Sequence, residues 1–203
     1  MSSRWGGHFP AAVPSSVEVV DALLAAPARL GAVRVLAVDG PSGAGKTTFA
    51  AEVAGELRAR QVDTVVVPTD HFATWAEPVS WWPRLVDGVL NPLAGDTPGC
   101  YRAVEWSSGQ PRPGSWVRVP VPAVLVLEGV SAGRASVRPL LSLLCWMHMP
   151  DERARLECSV GRDGEAERVH LREWQHFERG WFAVDNPAAC ADSHVVKRYS
   201  VSD

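Results

Sequence analysis

Lysine is nearly missing from this chain. Of its 20 basic residues only Lys46 and Lys197 are lysine, and the rest are arginine. The formal charge is −3, so a broad cationic surface for nucleic acid is excluded. The four cysteines, Cys100, Cys145, Cys158 and Cys190, stand far apart with no C-x-x-C pair, which argues against a zinc site. The six histidines show no metal-ligand spacing. No apolar run is long enough to span a bilayer. Met1 to Pro14 lacks the continuous apolar segment of a signal peptide. These absences predict a soluble cytoplasmic protein. Neither lysine is preceded by asparagine, so the Asn-Lys-x-Asp pattern of guanine recognition is absent too. What remains is a 203-residue chain, 46% hydrophobic and 21% charged, suited to one globular domain. Its nine tryptophans are expected in the core or in pocket walls.

The scarce lysine sits at an informative place. Gly40-Pro41-Ser42-Gly43-Ala44-Gly45-Lys46-Thr47-Thr48 fits the phosphate-loop pattern G-x-x-x-x-G-K-[ST]. The apolar run Val33 to Val38 before it reads as a strand, and Thr48 to Arg60 after it reads as a helix. A strand, a glycine turn and a helix start aim several backbone N–H groups at one small volume. The positive end of the helix dipole favours an anion at the same point. Lys46 is then positioned for the β- and γ-phosphates of ATP, and the Thr47 hydroxyl for Mg²⁺. Gly40, Ser42, Gly43, Ala44, Gly45 and Thr48 complete the candidate nucleotide contacts.

Around this motif the chain alternates strands and helices. Met1 to Pro14 reads as a flexible arm, and Ser15 or Ser16 caps a helix running to about Leu30. Val62 to Val67, Ala123 to Leu127 and Leu143 to Met149 read as buried strands, and Ser193 to Tyr199 as a last one. Val79 to Leu90 has helical spacing. Asn91 to Pro122 reads as a hairpin excursion with strands near Tyr101 to Trp106 and Trp116 to Val119. Helices are expected at Asp151 to Val160 and Glu165 to Phe182, joined by Gly161-Arg162-Asp163-Gly164. The pattern predicts a mostly parallel sheet with helices on both faces, in a single domain over residues 1–203.

Two carboxylates end predicted strands, where such folds place ligands. Glu128 follows Val124-Leu125-Val126-Leu127 and is a candidate Mg²⁺ ligand; Asp70 follows Val65-Val66-Val67 and is a candidate general base for a hydroxyl acceptor. Either also reads as a helix cap or loop anion. Arg153, Arg155, Arg162 and Arg168 fall in a helix-loop-helix stretch suited to a lid over about residues 161–180. The glutamates nearby make a solvated helix face the alternative for each, and Arg162, flanked by glycines, is the candidate for phosphoryl charge. Trp75, Trp81, Trp82 and Trp106 read as core or as walls for a planar group. His170 and His176 read as surface.

The order of these motifs resembles the uridine kinase-like branch of the P-loop nucleoside kinases. It rests on Gly40 to Thr48, Thr69-Asp70-His71-Phe72, Tyr101, Leu127-Glu128-Gly129-Val130 and Arg162-Asp163, across most of Val33 to Val196. The resemblance implies a three-layer P-loop kinase fold with a helical lid, using ATP and Mg²⁺. It implies catalysis by Asp70, Lys46 and Arg162, and metal contact by Thr47 and Glu128. For the substrate it implies Tyr101 and Phe72, with Asp87 standing where a ribose contact is expected or else serving as a helix-surface carboxylate. The chain departs from the family pattern in Phe72-Ala73, in Trp81 to Asp87 and in its sparse lid arginines. Three readings therefore stay open: a nucleoside kinase, a kinase for another small alcohol, and a nucleotide-driven switch protein. None of them calls for nucleic acid or a membrane.

Overall fold

The computed structural model describes residues 13–107 and 109–196. Five parallel strands form the central sheet: β1 (Arg34–Asp39), β2 (Thr64–Pro68), β5 (Val124–Glu128), β6 (Leu143–His148) and β7 (Ser193–Val196). Their spatial order is β2-β5-β1-β6-β7. Between β2 and β5 the antiparallel pair β3 (Gly99–Ser107) and β4 (Gln110–Val119) forms a separate two-stranded sheet.

The strands are apolar on both sides because both faces are covered. In β5, Val124, Leu125, Val126 and Leu127 are all fully buried. Each contributes roughly 1.5–3 kcal/mol by leaving water. Leu36 and Val38 of β1 with Val124 and Val126 face one core, shared with Val53 and Leu57 of α2 (Lys46–Ala59) and Leu23 of α1 (Ser16–Ala25). Val35, Ala37, Leu125 and Leu127 face the other core, shared with Leu85, Leu90 and Leu93. Those three leucines lie on a continuous helical stretch, α3 (Trp82–Leu85), a π turn (Val86–Leu90) and α4 (Asn91–Ala94).

Several boundaries differ from the sequence expectation for local reasons. Helix α1 opens with a capping box: the Glu18 N–H donates to Ser15 Oγ and the Ser15 N–H to the Glu18 carboxylate. It stops at Ala25 rather than Leu30, because Pro27 disfavours helical geometry in the residue before it. The helical stretch predicted from Val79 starts at Trp82 and runs past Leu90 to Ala94, with Pro83 accommodated in the first turn. Gly161-Arg162-Asp163 is not a loop: α5 runs Glu152–Asp163, and the break falls at Gly164. A short 3₁₀ turn (Glu165–Glu167) leads into α6 (Arg168–Asp185). Arg168 pairs with Glu157 across the two helices and with Glu165. Leu156, Val160 and Leu171 give this helix pair a small core of its own, with Trp75 packed against it. The expected arm at 1–14 lies almost wholly outside the described residues, as does the end of the last strand beyond Val196. Among the described residues no helix is long and apolar enough to cross a membrane.

Candidate active site

Parallel register brings the strand ends together. Glu128 lies beside Val38 of β1 and Pro68 of β2, so Asp39, Glu128 and Asp70 end adjacent strands on one edge. The phosphate loop leaves that edge from β1. Gly45 enters α2 at φ +89, a left-handed conformation that costs glycine little. Lys46 is buried, and its ammonium donates to Pro41 O at 3.0 Å, inside the loop's own curve. The Thr47 hydroxyl meets the Glu128 carboxylate at 3.2–3.3 Å. Burial raises the Glu128 carboxyl above the usual carboxylate range, and the nearby Asp70 charge adds to it.

The buried Asp39 was not singled out from the sequence. Its carboxylate accepts from the N–H groups of Gly40, Ser131 and Gly133. Full burial outweighs those three donors and raises its pKa to about 7. It ties the first residue of the phosphate loop to the segment after β5. A charged residue closing an apolar strand immediately before Gly40 was the available signal.

A cleft of about 540 Å³ opens over this edge. Ser42, Thr47, Asp70, His71, Glu128 and Arg162 line it, and Trp75, Trp106 and Trp174 wall it. Thr69–His71 form a 3₁₀ turn directly after β2, which presents Asp70 to solvent. Arg162 comes from the last turn of α5 and is held by Asp163, Nε to Oδ1 at 2.6 Å. That bond raises its already high pKa, and Asp70 and Glu128 act in the same sense. Arg155, buried, donates to Met149 O, and Arg168 serves the helix pair, so of the candidate lid arginines Arg162 borders the cleft.

Not every expected residue reaches this space. Phe72 is buried in the core, with ring centroids 4.6 Å from Tyr101 and 5.4 Å from Trp81, and lines no part of the cleft. Tyr101 stands one layer behind: its hydroxyl bonds His71 Nδ1 at 2.8 Å, and burial pushes its pKa up to about 12. Burial pulls His71 down. Asp87 lies in the π turn, exposed, accepting from Asn91 at 3.3 Å and away from the cleft. Trp81 and Trp82 stack on each other in the core, whereas Trp75 and Trp106 meet at 4.8 Å and 71° beside the cleft. His170 is half-buried against Trp75 at 5.1 Å rather than a free surface residue. Trp174 went unrecognised in the sequence, although its four-residue spacing from Glu178 puts both on one helix face.

A second hollow of about 290 Å³ adjoins the loop on the opposite side, lined by Gly45, Thr48, Phe49, Met147, Val195 and the start of α1. Oxygen donors dominate the Thr47–Glu128 position, and among the described residues no cluster of three or more His, Cys, Asp or Glu forms a protein-only metal site. One carboxylate and one hydroxyl beside an anion loop suit Mg²⁺ arriving with a nucleotide, which keeps most of its ligands as water and phosphate.

No protein-family model matches the chain, and no curated protein matches it in sequence. Solved structures match it in shape. A possible uridine kinase from Bacillus stearothermophilus superposes with a TM-score of 0.66 at 18% identity, over 89% of this chain and 96% of that one. A protein proposed to be a fructose transport system kinase from Silicibacter sp. TM1040 gives 0.59 at 16% identity, over 91% and 100%. The likeness covers 89% and 91% of this chain, and it shows a shared fold: a parallel α/β sheet covered by helices.

Proposed function

We propose that the chain is an ATP-dependent phosphotransferase that moves the γ-phosphate to a hydroxyl of a small molecule. One observation carries this: the phosphate loop, Asp70, Glu128 and Arg162 come from four separate segments and border a single cleft. A fold-forming role alone does not require that convergence. The triphosphate lies along the loop, in reach of the N–H groups of Gly43 to Thr48 and of Lys46, which leaves Pro41 O for the phosphates. The base has the 290 Å³ hollow beside Thr48 and Phe49, whose lining mixes Ser15, Ser16 and Glu52 with Met147 and Val195. Mg²⁺, held by Thr47 and Glu128 together with phosphate oxygens, would neutralise charge on the transferring group.

Asp70, exposed at the cleft floor, accepts the proton of the acceptor hydroxyl. The acceptor oxygen bonds to the γ-phosphorus, the bond from phosphorus to the β–γ bridging oxygen breaks, and ADP leaves with that electron pair. Arg162 exchanges Asp163 for the phosphoryl oxygens. The stretch of about residues 161–180, from the end of α5 into α6, acts as a lid that keeps water from the reaction. His71, fixed by Tyr101, orients the acceptor.

A specific feature favours a non-nucleoside alcohol over a nucleoside. Trp75 and Trp106 touch nearly at right angles, and Trp174 meets Trp75 at 78°. Such indoles form a corner and not the parallel slot that sandwiches a base. A compact polyol or amino alcohol fits a corner.

The test is incubation with ATP, Mg²⁺ and a panel of nucleosides, sugars and amino alcohols, followed by ³¹P NMR. A phosphate ester of one acceptor is expected. Free phosphate alone would instead mark a nucleotide-driven switch, and an unchanged ATP signal would remove both readings.

A further inference from the structure

One carboxylate joins the nucleotide loop to the wall of the acceptor cleft. Glu178 of α6 is 2% exposed. The Ser42 N–H donates to its two oxygens at 3.0 and 3.1 Å, and the Ser42 hydroxyl donates to Oε1 at 2.5 Å. The Trp174 indole N–H donates to the same Oε1 at 2.7 Å. Ser42 belongs to the phosphate loop and borders the cleft, and Trp174 walls it. Glu178 thus takes an N–H and a hydroxyl from the loop built for phosphate. The Lys46 charge acts on it as well, while burial raises its carboxyl above the usual range.

We propose that Glu178 is a positioning residue that makes nucleotide occupancy and the placement of Trp174 change together. The proposal rests on the nucleotide-binding reading above. A triphosphate and a carboxylate have the same sign and compete for donors in a space that screens charge poorly. Bound nucleotide draws the Ser42 donors away. A carboxylate left buried without them is costly, so Glu178 moves outward. Trp174, bonded to it on the next turn of the same helix, moves with it and reshapes the acceptor wall. Linkage then requires the reverse: an acceptor that packs on the displaced Trp174 tightens nucleotide binding.

The experiment uses the full chain labelled with 5-fluorotryptophan, the Trp174 signal being assigned by its loss in Trp174→Phe. The Mg²⁺ complex of β,γ-imido-ATP is titrated by calorimetry and by ¹⁹F NMR. In the natural protein the Trp174 signal is expected to shift with the calorimetric Kd. In Glu178→Gln the analogue is expected to bind about 5- to 10-fold tighter, with most of that shift gone. Should Glu178→Gln fail to fold, Ser42→Ala removes the 2.5 Å bond alone, and a reduced shift is again expected. Analogue binding with a silent Trp174 signal, or an equal shift in the variants, overturns the coupling and leaves the kinase reading standing. No calorimetric binding by the natural protein overturns both.

Discussion

The two sides of the cleft are built from different materials. The phosphate side is one contiguous stretch, Gly40 to Thr48, whose donors are mostly backbone amides held by a strand and a helix. The acceptor side gathers Trp75, Trp106, Arg162 and Trp174 from a loop, a hairpin and two helices. Backbone donors change little when a side chain is exchanged. A wall of side chains changes with every substitution. On the proposed function, the phosphate side fixes the chemistry and the acceptor side sets what enters.

Substitutions can break that division or sharpen it. The largest effect is expected at the junction: Asp70→Asn should lower kcat by about 10²- to 10⁴-fold with the Kd for Mg·ATP nearly unchanged, as read by steady-state rates and calorimetry. Full turnover in that variant would remove Asp70 as the base. Lys46→Ala should weaken Mg·ATP binding by roughly 10- to 150-fold, since a charge-assisted contact is lost. Equal affinity would show that the loop does not hold the phosphates. Trp106→Ala should raise the KM for the acceptor about 10-fold and leave the nucleotide Kd alone, because Trp106 is 38% exposed and its contacts are with Trp75 and, at 3.4 Å, with Asp70 O. A change in nucleotide affinity there would erase the division.

The smallest effect is a slope. Asp39 is raised from 3.8 to about 7 in the folded chain. Its raised value means that the stabilisation is complete below pH 4 and is lost as the pH climbs through 7. Urea midpoints of the natural protein should fall over that window, and those of Asp39→Asn should fall less. Near pH 7 the two should agree within about 1 kcal/mol, since one lost hydrogen bond is offset by one charge no longer buried. Parallel curves would show that Asp39 keeps an ordinary pKa.

The sequence made one side of the cleft far more legible than the other, for the same physical reason. The phosphate loop is local, so its spacing and its flanking strand and helix can be read directly. Strand alternation also foretold the parallel sheet and the separate hairpin. Glu128 and Asp70 were readable as strand-end carboxylates, and register set them side by side. The aromatic corner depends on how α6 docks, which no local pattern states. Hence Trp174 and Glu178 went unseen, Phe72 and Asp87 were placed at a cleft they do not line, and Trp81 and Trp82 were not separated from Trp75. Arg162 was read in a loop because Gly161 suggested a break, yet a glycine inside a helix costs only about 1 kcal/mol, and the break came at Gly164.

The β3–β4 hairpin stands outside the main sheet and reaches the cleft through Trp106 and Gly109. It is fastened at its tip, where Trp75 donates to Gly109 O at 2.8 Å and the Glu167 carboxylate lies against Gly109. On the kinase reading, such an appendage works as a jaw: exchanging residues at its end alters which molecule is gripped, while Gly40 to Thr48 keep their places at the junction of the strand and helix behind it.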